Sequence, residues 1–553
     1  MRERSSARSG EPPNGARRRR LRRFAAAVGC AAGALLFVPW PEPAAPAGAG
    51  GRPFVWNQDQ RWQALETAFR NARKAGCAGS RPRAEAMLGE GRRLVADAAA
   101  GEVGPESVVL DEIERTTFEL GPMVAACPET IPEYVRLVTR MRSMVKRQSR
   151  HWDMGLAATR TRMYRLLYGG RAALEEAILQ APPGFSPPLV AGDDEPSVTP
   201  SAEVLGVTVH SGDILVSRGG VPTSALIARG NDFPGNFSHV ALVHVDERSH
   251  ETSVIEAHIE RGVAVSSLSS YLKDVKLRVM VLRLRSDLPQ MMADPLLPHR
   301  AAGAALEDAR RRHIPYDFAM DFADHSKLFC SEVASAAYEP FGVTLWMGLS
   351  RISSPGLVGW LSGFGVRRFE TQEPSDLEYD PQLTVVAEWR DPLTLYSDHI
   401  DNAVVDAMLE GAEQGETLGY PWLLLPVARA AKAYSSLLNA VGLVGPVPEG
   451  LSAASALRNR QFSRMHAAIK RRTVMRASEF ERANGYRPPY WDLVALARQA
   501  RAEFRPGGRL AGGRSAARLP ATERAWTLCP NTSRTTASAL PASSGGVRCA
   551  RAR

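Results

Sequence analysis

Residues 329–333 read FCSEV and are followed by ASAAY at residues 334–338, a run of small, helix-favouring residues. This pattern predicts a helix that begins directly after Cys330. The position suits a nucleophilic thiol, because a helix N-terminus lowers a thiol pKa and presents backbone N–H groups to an oxyanion. A cysteine hydrolase also needs an imidazole that accepts the thiol proton and a polar group that orients the imidazole.

Two earlier runs supply an imidazole and a carboxylate. Residues 238–243 read SHVALV, which predicts a buried strand beginning at His239. Residues 253–256 read SVIE, a second short strand close enough in sequence to pair with the first and place Glu256 beside His239. We therefore predict a triad of Cys330, His239 and Glu256, with the sulfur within about 4 Å of a ring nitrogen.

Residue spacing alone does not rank this set above its alternatives. A lone cysteine before a helix is more often a packing residue than a nucleophile. The other carboxylate candidates are Glu260 and Glu332, and the other imidazole candidates are His244, His258, His313 and His325. The order of histidine, acid and cysteine along the chain is the stronger criterion.

The ordered motifs resemble those of a known family. With GDILV at residues 212–216, GV at 262–263 and PYD at 315–317, they resemble the circularly permuted papain-fold amidases, the YiiX-like branch of the NlpC-type cysteine peptidases. In that family the histidine and acidic strands precede the cysteine helix. The resemblance covers about residues 204–369 and implies His239, Glu256 and Cys330 as the triad. It also implies that Tyr316 lies near the cleft, as an oxyanion donor or as a packing residue.

The resemblance implies an α+β fold with a small antiparallel sheet and the cysteine helix packed across it. Residues 279–284 and 366–369 are further strand candidates, and residues 301–312 predict a helix. No Cys-x-x-Cys or His-Glu-x-x-His motif occurs, so neither a metal nor another cofactor is expected.

A chain of 553 residues is long enough for more than one domain. Helical periodicity predicts a helical N-terminal domain at residues 52–181 and a helical C-terminal region at 393–505. A proline-rich linker at 182–200 and the cysteine hydrolase domain at 201–392 lie between them. Residues 506–553, rich in Arg, Ser, Ala and Gly, predict a disordered tail.

Residues 1–51 are typical of a signal or targeting segment. A basic run at 17–23, an apolar stretch at 24–38 and a small, proline-rich stretch at 39–51 match the three parts of a secretory signal. We expect export to the periplasm or cell envelope, with the mature chain beginning after about residues 39–51. An N-terminal anchor that is not cleaved is the alternative.

If the chain is exported, its cysteines can form disulfide bonds. Cys77 and Cys127 occupy loop-like positions in the same helical region, beside Gly76 and before Pro128, and predict a disulfide in an oxidising compartment. Cys330 would stay unpaired, as a nucleophile must.

The net charge of +10 suggests attraction to an anionic envelope surface, and the absence of a recognisable nucleic-acid motif argues against nucleic acid as a partner. We expect cleavage of an amide bond in a peptide or a murein-type substrate. The family resemblance also admits a lipid acyl hydrolase or acyltransferase, and a non-catalytic scaffold that binds the envelope is the third alternative.

Overall fold

The computed structural model describes residues 23–24, 26, 36–38, 60–182, 184–274 and 276–504. The predicted disordered tail and most of the predicted targeting segment lie outside these residues.

Helices form the N-terminal part of the described chain. They are α1 (Gln60–Ala100), α2 (Val108–Ala126), α3 (Ile131–Gln148), α4 (Ala157–Tyr164) and α5 (Gly170–Gln180). In α3, Tyr134, Leu137, Val138 and Met141 are buried at spacings of three and four residues, so one face of the helix joins the shared core. The predicted disulfide is confirmed, because Cys77 and Cys127 are bonded with their Cα atoms 4.6 Å apart.

An antiparallel sheet follows. The strands are β1 (Leu189–Ala191), β2 (Ser201–Val204), β3 (Val207–His210), β4 (Ile214–Gly219), β5 (His239–Val245), β6 (Thr252–His258), β7 (Gly262–Ser267), β8 (Lys276–Leu284), β9 (Ser350–Arg351), β10 (Glu370–Thr371) and β11 (Leu383–Trp389). Seven of them form one sheet in the order β1-β11-β8-β4-β5-β6-β7. The central strands are buried on both faces, which explains their nearly continuous apolar sequences. Strand β1 lies within the segment predicted as a linker and pairs with β11.

Helices cover the sheet. They are α6 (Pro222–Arg229), α7 (Leu268–Lys273), α8 (Pro289–Ala293), α9 (Leu297–Arg311), α10 (Glu332–Tyr338) and α11 (Pro355–Phe364). Val240 and Leu242 of β5 share a core with Val333 of α10 and Ala301 of α9, so the cysteine helix packs across the sheet. The hairpin β2–β3 and α7 cover the opposite face. The predicted α+β class is confirmed.

The strand predicted at residues 366–369 is wrong. This segment leaves α11 through Gly365, and the backbone N–H groups of Arg367 and Arg368 donate to the carbonyl oxygen of Ala319 instead of to a strand. Strand β10 begins at Glu370, one residue beyond the predicted strand.

Helices also form the C-terminal part, as α12 (Pro392–Glu413), α13 (Leu425–Asn439), α14 (Ala453–Asn484) and α15 (Tyr490–Ala502). A buried cluster of charged side chains joins these C-terminal helices to the sheet and to the N-terminal helices. Arg278 of β8 lies 2.7 Å from Glu175 of α5 and 2.9 Å from Asp398 of α12, with all three side chains almost completely buried. These contacts fix both helical parts against the sheet, on the face that also packs against α9 and α10. Within the described residues, none of the helices combines the length and the apolar content needed to cross a bilayer.

Candidate active site

Strands β5 and β6 place His239 next to Glu256. Their register ends at the pair Ala241↔Glu256, so His239, two residues before Ala241, lies just beyond the last pair on the same face of the sheet. The Nε2 atom of His239 lies 2.8 Å from Oε2 of Glu256. This contact agrees with the hairpin predicted from sequence.

Glu256 is a buried carboxylate with several polar neighbours. Its Oε1 accepts a 3.2 Å hydrogen bond from the Ser266 hydroxyl and lies 3.2 Å from Nε2 of His258. Burial alone would raise the pKa of Glu256, but the hydrogen bonds and charges of His239 and His258 together hold that pKa below its ordinary value. Glu256 is therefore ionised and fit to orient an imidazole. His258 was not part of the predicted triad, although its position two residues after Glu256 places both side chains on one face of β6.

Cys330 lies against the backbone on both sides of His239. Its Sγ is 3.8 Å from the carbonyl oxygen of Ser238 and interacts with the backbone N–H of Val240. Among the described residues, no hydrogen bond joins the thiol directly to the imidazole. Nε2 of His239 contacts Glu256, so Nδ1 is the nitrogen that would have to receive the thiol proton. His239 shares a face of the sheet with Ala241 and Val243, whereas the cysteine helix packs on the face of Val240 and Leu242.

The thiol is less acidic than its position before a helix suggests. Burial, and then the nearby Glu373 carboxyl, raises the pKa of Cys330 to about 12, and the opposing effects of Ser331 and Val240 are smaller. The expected lowering of the thiol pKa is thus wrong, because burial of the thiol disfavours the charged thiolate more than its hydrogen bonds favour it. Glu373 is buried and was missed, since nothing in its local sequence indicates that it lies close to Cys330.

The imidazole is also in its neutral form. Burial lowers the pKa of His239, with the hydrogen bond to Glu256 acting in the opposite direction. The resting site therefore pairs a neutral thiol with a neutral imidazole at neutral pH. In such a pair the thiol must transfer its proton to the imidazole during attack, because the thiolate is not already present in the resting site.

Tyr316 lies at the thiol, as the family resemblance implied. Burial, and then the neighbouring Cys330, raises the pKa of the Tyr316 hydroxyl, and the Tyr316 backbone bridges to Leu328, two residues before the cysteine. The preceding residues are fixed by Val263 of β7, which donates to the carbonyl oxygen of Ile314. Gly262 has a φ of 72°, and a Cβ atom there would lie 2.1 Å from the same oxygen. A glycine is therefore required where β7 approaches the Tyr316 segment.

The alternative imidazoles have other partners. His244 stacks on His299 with ring centroids 5.1 Å apart, His313 lies 2.7 Å from Glu449, and His325 lies 3.6 Å from Glu339. Glu332, an alternative acid, accepts a hydrogen bond from the backbone N–H of Phe329. Of the candidate histidines, His239 is the one whose neighbours in sequence contact the Cys330 sulfur.

A cavity of about 810 Å³ adjoins the Tyr316 segment. Its walls include Tyr316 and Phe318, Gly363 of α11, and Leu425 and Arg429 of α13. Gly450 packs so closely that a Cβ atom there would lie 2.3 Å from Cδ2 of Phe318. The C-terminal part of the chain thus forms one wall beside the candidate active site.

A family model matches the sheet region that contains the candidate active site. Residues 208–387, from β3 to β11, match the family model described as permuted papain-like amidase enzyme, YaeF/YiiX, C92 family. This region is a permuted papain-like amidase. The amidase region contains Cys330, His239, Glu256 and Tyr316.

One solved structure and no curated protein match the chain. The chain is similar to the crystal structure of metalloprotein yiiX from Escherichia coli O157:H7 at 20% sequence identity. The similarity covers 33% of this chain and 98% of that chain, with a TM-score of 0.26. The helical regions on either side of the amidase region lie outside the family match.

Proposed function

We propose that the chain hydrolyses an amide bond in a peptide or murein-type substrate, with Cys330 as nucleophile, His239 as base and then acid, and Glu256 as the group that orients His239. The observation that carries this proposal is the placement of the Cys330 sulfur against Ser238 and Val240, while the far nitrogen of His239 binds Glu256.

The reaction follows from the protonation states. As the Cys330 sulfur attacks the amide carbon, its proton moves to Nδ1 of His239, and Glu256 stabilises the resulting imidazolium. The imidazolium then donates this proton to the leaving nitrogen as the C–N bond breaks and a thioester forms. Water attacks the thioester while His239 takes its proton, which releases the carboxylic acid and restores the thiol.

Tyr316 would bind the negative oxygen of the tetrahedral intermediate. Its hydroxyl is close enough to Cys330 for the thiol to raise the pKa of the phenol, which supports a role for Tyr316 as a donor to an oxyanion formed at the sulfur. The ordinary alternative is that the Tyr316 ring, whose centroid lies 4.9 Å from that of Phe318, only packs the loop.

We assign the reaction to the cell envelope. The disulfide between Cys77 and Cys127 supports an oxidising compartment, where such bonds persist. Export through residues 1–51, with cleavage after about residues 39–51, is the proposed route, and an uncleaved anchor is the alternative.

Alkylation of the full chain by iodoacetamide, mapped by mass spectrometry, tests the pairing of thiol and imidazole. At pH 7 we expect slow alkylation of Cys330 and a further clear decrease in His239→Ala, because the buried thiol depends on a base. Equal rates in both proteins would contradict the pairing. A panel of murein peptides, acylated lipids and amide and ester reporters separates amidase, lipid hydrolase and scaffold, since the scaffold turns over none of them.

A further inference from the structure

The cavity beside Tyr316 carries more basic than acidic side chains. Its volume of about 810 Å³ lies in the range of pockets that hold small ligands. The charged side chains in its wall are the basic Lys327, Arg367, Arg429 and Lys432 and the acidic Asp317 and Glu449. A concave site with an excess of cations raises the local concentration of anions. The cavity is therefore suited to a ligand that carries a negative charge.

Both acidic side chains of the wall already have partners. The Asp317 carboxylate accepts hydrogen bonds from the backbone N–H groups of Ala319 at 2.9 Å and Asp321 at 2.6 Å. The Glu449 carboxylate lies 2.7 Å from Nε2 of His313. Within the described residues, neither carboxylate forms an ion pair with a basic side chain of the wall. The cations of the cavity are thus not paired with its own acids.

The cations are held by carbonyl oxygens instead. The Lys432 ammonium donates to the carbonyl oxygens of Pro448, at 2.9 Å, and Glu449. Arg367 donates through Nη1 to two carbonyl oxygens at the C-terminal end of α11. Lys327 is exposed, and in the described part of the chain its ammonium has no hydrogen bond or ion pair. Carbonyl oxygens position a cation without cancelling its charge, so these three groups keep the capacity to bind an anion.

Arg429 and the N-terminus of α14 complete the positive wall. Arg429 donates a 2.6 Å hydrogen bond to the carbonyl oxygen of Val38, and we assign it no role in binding. Residues 452–455 begin α14 and line the cavity, and the Ser452 hydroxyl caps this turn by accepting from the N–H of Ser455 at 3.0 Å. The positive end of the dipole of this 32-residue helix adds to the field of the side-chain cations.

The cavity lies one short segment away from the thiol. Tyr316 and Lys327 belong to two segments that are joined by the bridge between Tyr316 and Leu328. Lys327 precedes Cys330 in the sequence. The chain between them spans at most about 11 Å when fully extended. A peptide of about three residues, bound with one end in the cavity, would therefore reach the thiol past Tyr316.

We propose that this cavity binds the C-terminal carboxylate of a peptide substrate, with Lys327, Arg367 and Lys432 as the recognising cations. The inference rests on the proposed function for the placement of the scissile amide at Cys330. A peptide is favoured over a phospholipid because the matched region is an amidase and a linear peptide ends in a carboxylate. A lipid phosphate has the same sign of charge and is tested separately.

Calorimetric titration of the full chain tests the proposal without turnover. The protein carries Cys330→Ala, and the probes are acetyl-trialanine with a free carboxylate and the same peptide with a C-terminal carboxamide. We expect the carboxylate to bind about tenfold more tightly, because hydrogen bonds between charged groups are stronger than those of a neutral amide. In the double variant Lys327→Gln/Lys432→Gln this preference should disappear.

Lys74→Gln is the matched control, because Lys74 is an exposed lysine of α1 outside the cavity wall. It should retain the preference. Equal binding of the two peptides, no binding of either, or a preference that the double variant retains would overturn the proposal. So would an equal loss of both peptides in the double variant, which indicates a structural role, or tighter binding of glycerol 3-phosphate than of the free peptide.

The titration and the turnover assay fail separately. Turnover of an amide reporter by the wild type, together with no preference in the titration, would overturn the carboxylate site alone. A clear preference for the carboxylate with no turnover by the wild type would instead overturn the proposed hydrolysis.

Discussion

Nε2 of His239 and Oε2 of Glu256 lie 2.8 Å apart at the end of the β5–β6 pairing, which leaves Nδ1 of His239 for the thiol of Cys330. The arrangement gives each of the three residues a different chemical task, so their substitutions should differ in effect.

Removal of the thiol or the imidazole deletes a step of the reaction. Cys330→Ala and His239→Ala should each lower kcat to background, a loss on the order of 10⁴-fold or more. Glu256→Gln keeps the shape but loses part of the imidazolium stabilisation, so residual turnover should remain. Steady-state kinetics on an amide reporter measures all three, and turnover by Cys330→Ala at the wild-type rate would reject the thiol as nucleophile.

The decrease of kcat/KM at acid pH should follow the protonation of His239. Because burial lowers the pKa of this imidazole, the base stays neutral and active to a lower pH than a free histidine with a pKa of 6.5. In Glu256→Gln this decrease should occur at a still lower pH, because the variant lacks the carboxylate that favours the charged imidazole. The dependence of kcat/KM on pH checks both shifts, and a decrease centred above 6.5 would contradict them.

Tyr316→Phe separates an oxyanion donor from a packing residue. If the hydroxyl stabilises the oxyanion, kcat should fall about 100-fold with little change in KM, because the donor acts mainly in the transition state. The ring contact with Phe318 is retained in this variant. Full activity in Tyr316→Phe would leave packing as the role of the residue.

The disulfide should stabilise the N-terminal helices. Its cysteines are 50 residues apart, and the chain-entropy estimate for a loop of that length is about 4 kcal/mol. Cys77→Ser/Cys127→Ser should therefore lower the free energy of unfolding by up to about this amount, as measured by urea denaturation. If mass spectrometry finds both thiols free in the wild-type protein, the disulfide on which this prediction depends is absent.

Glu332 should make the protein less stable as pH rises. Burial raises the pKa of its carboxyl to about 9, so the folded chain keeps a proton that the unfolded chain loses above about pH 4.5. The native state binds more protons in this interval, and the free energy of unfolding should decrease by up to about 1.4 kcal/mol per pH unit. Glu332→Gln retains an oxygen for the N–H of Phe329 and should remove this part of the slope. Urea denaturation between pH 5 and 9 compares the two proteins, and equal slopes would contradict the raised pKa.

The local patterns around His239, Glu256 and Cys330 predicted strands β5 and β6 and a helix after the cysteine, whereas the α+β class was implied by the family resemblance. These elements depend on local patterns, since a strand buried on both faces needs a continuous apolar run and a short helix needs small residues. The disulfide was also predicted from sequence, because Cys77 beside Gly76 and Cys127 before Pro128 lie in the same helical region, although Cys77 itself lies within α1.

Tertiary structure decided what depends on distance and burial. Only the folded chain places Glu373 near the thiol, joins His258 to Glu256 and raises the pKa of Cys330 above the value that its position before a helix suggests. Only the fold shows that α13 turns its larger side chains outward, since periodicity identifies an apolar face but not the side on which it is covered. Sequence determines which side chains share an element, whereas desolvation and the meeting of distant residues depend on how the elements pack.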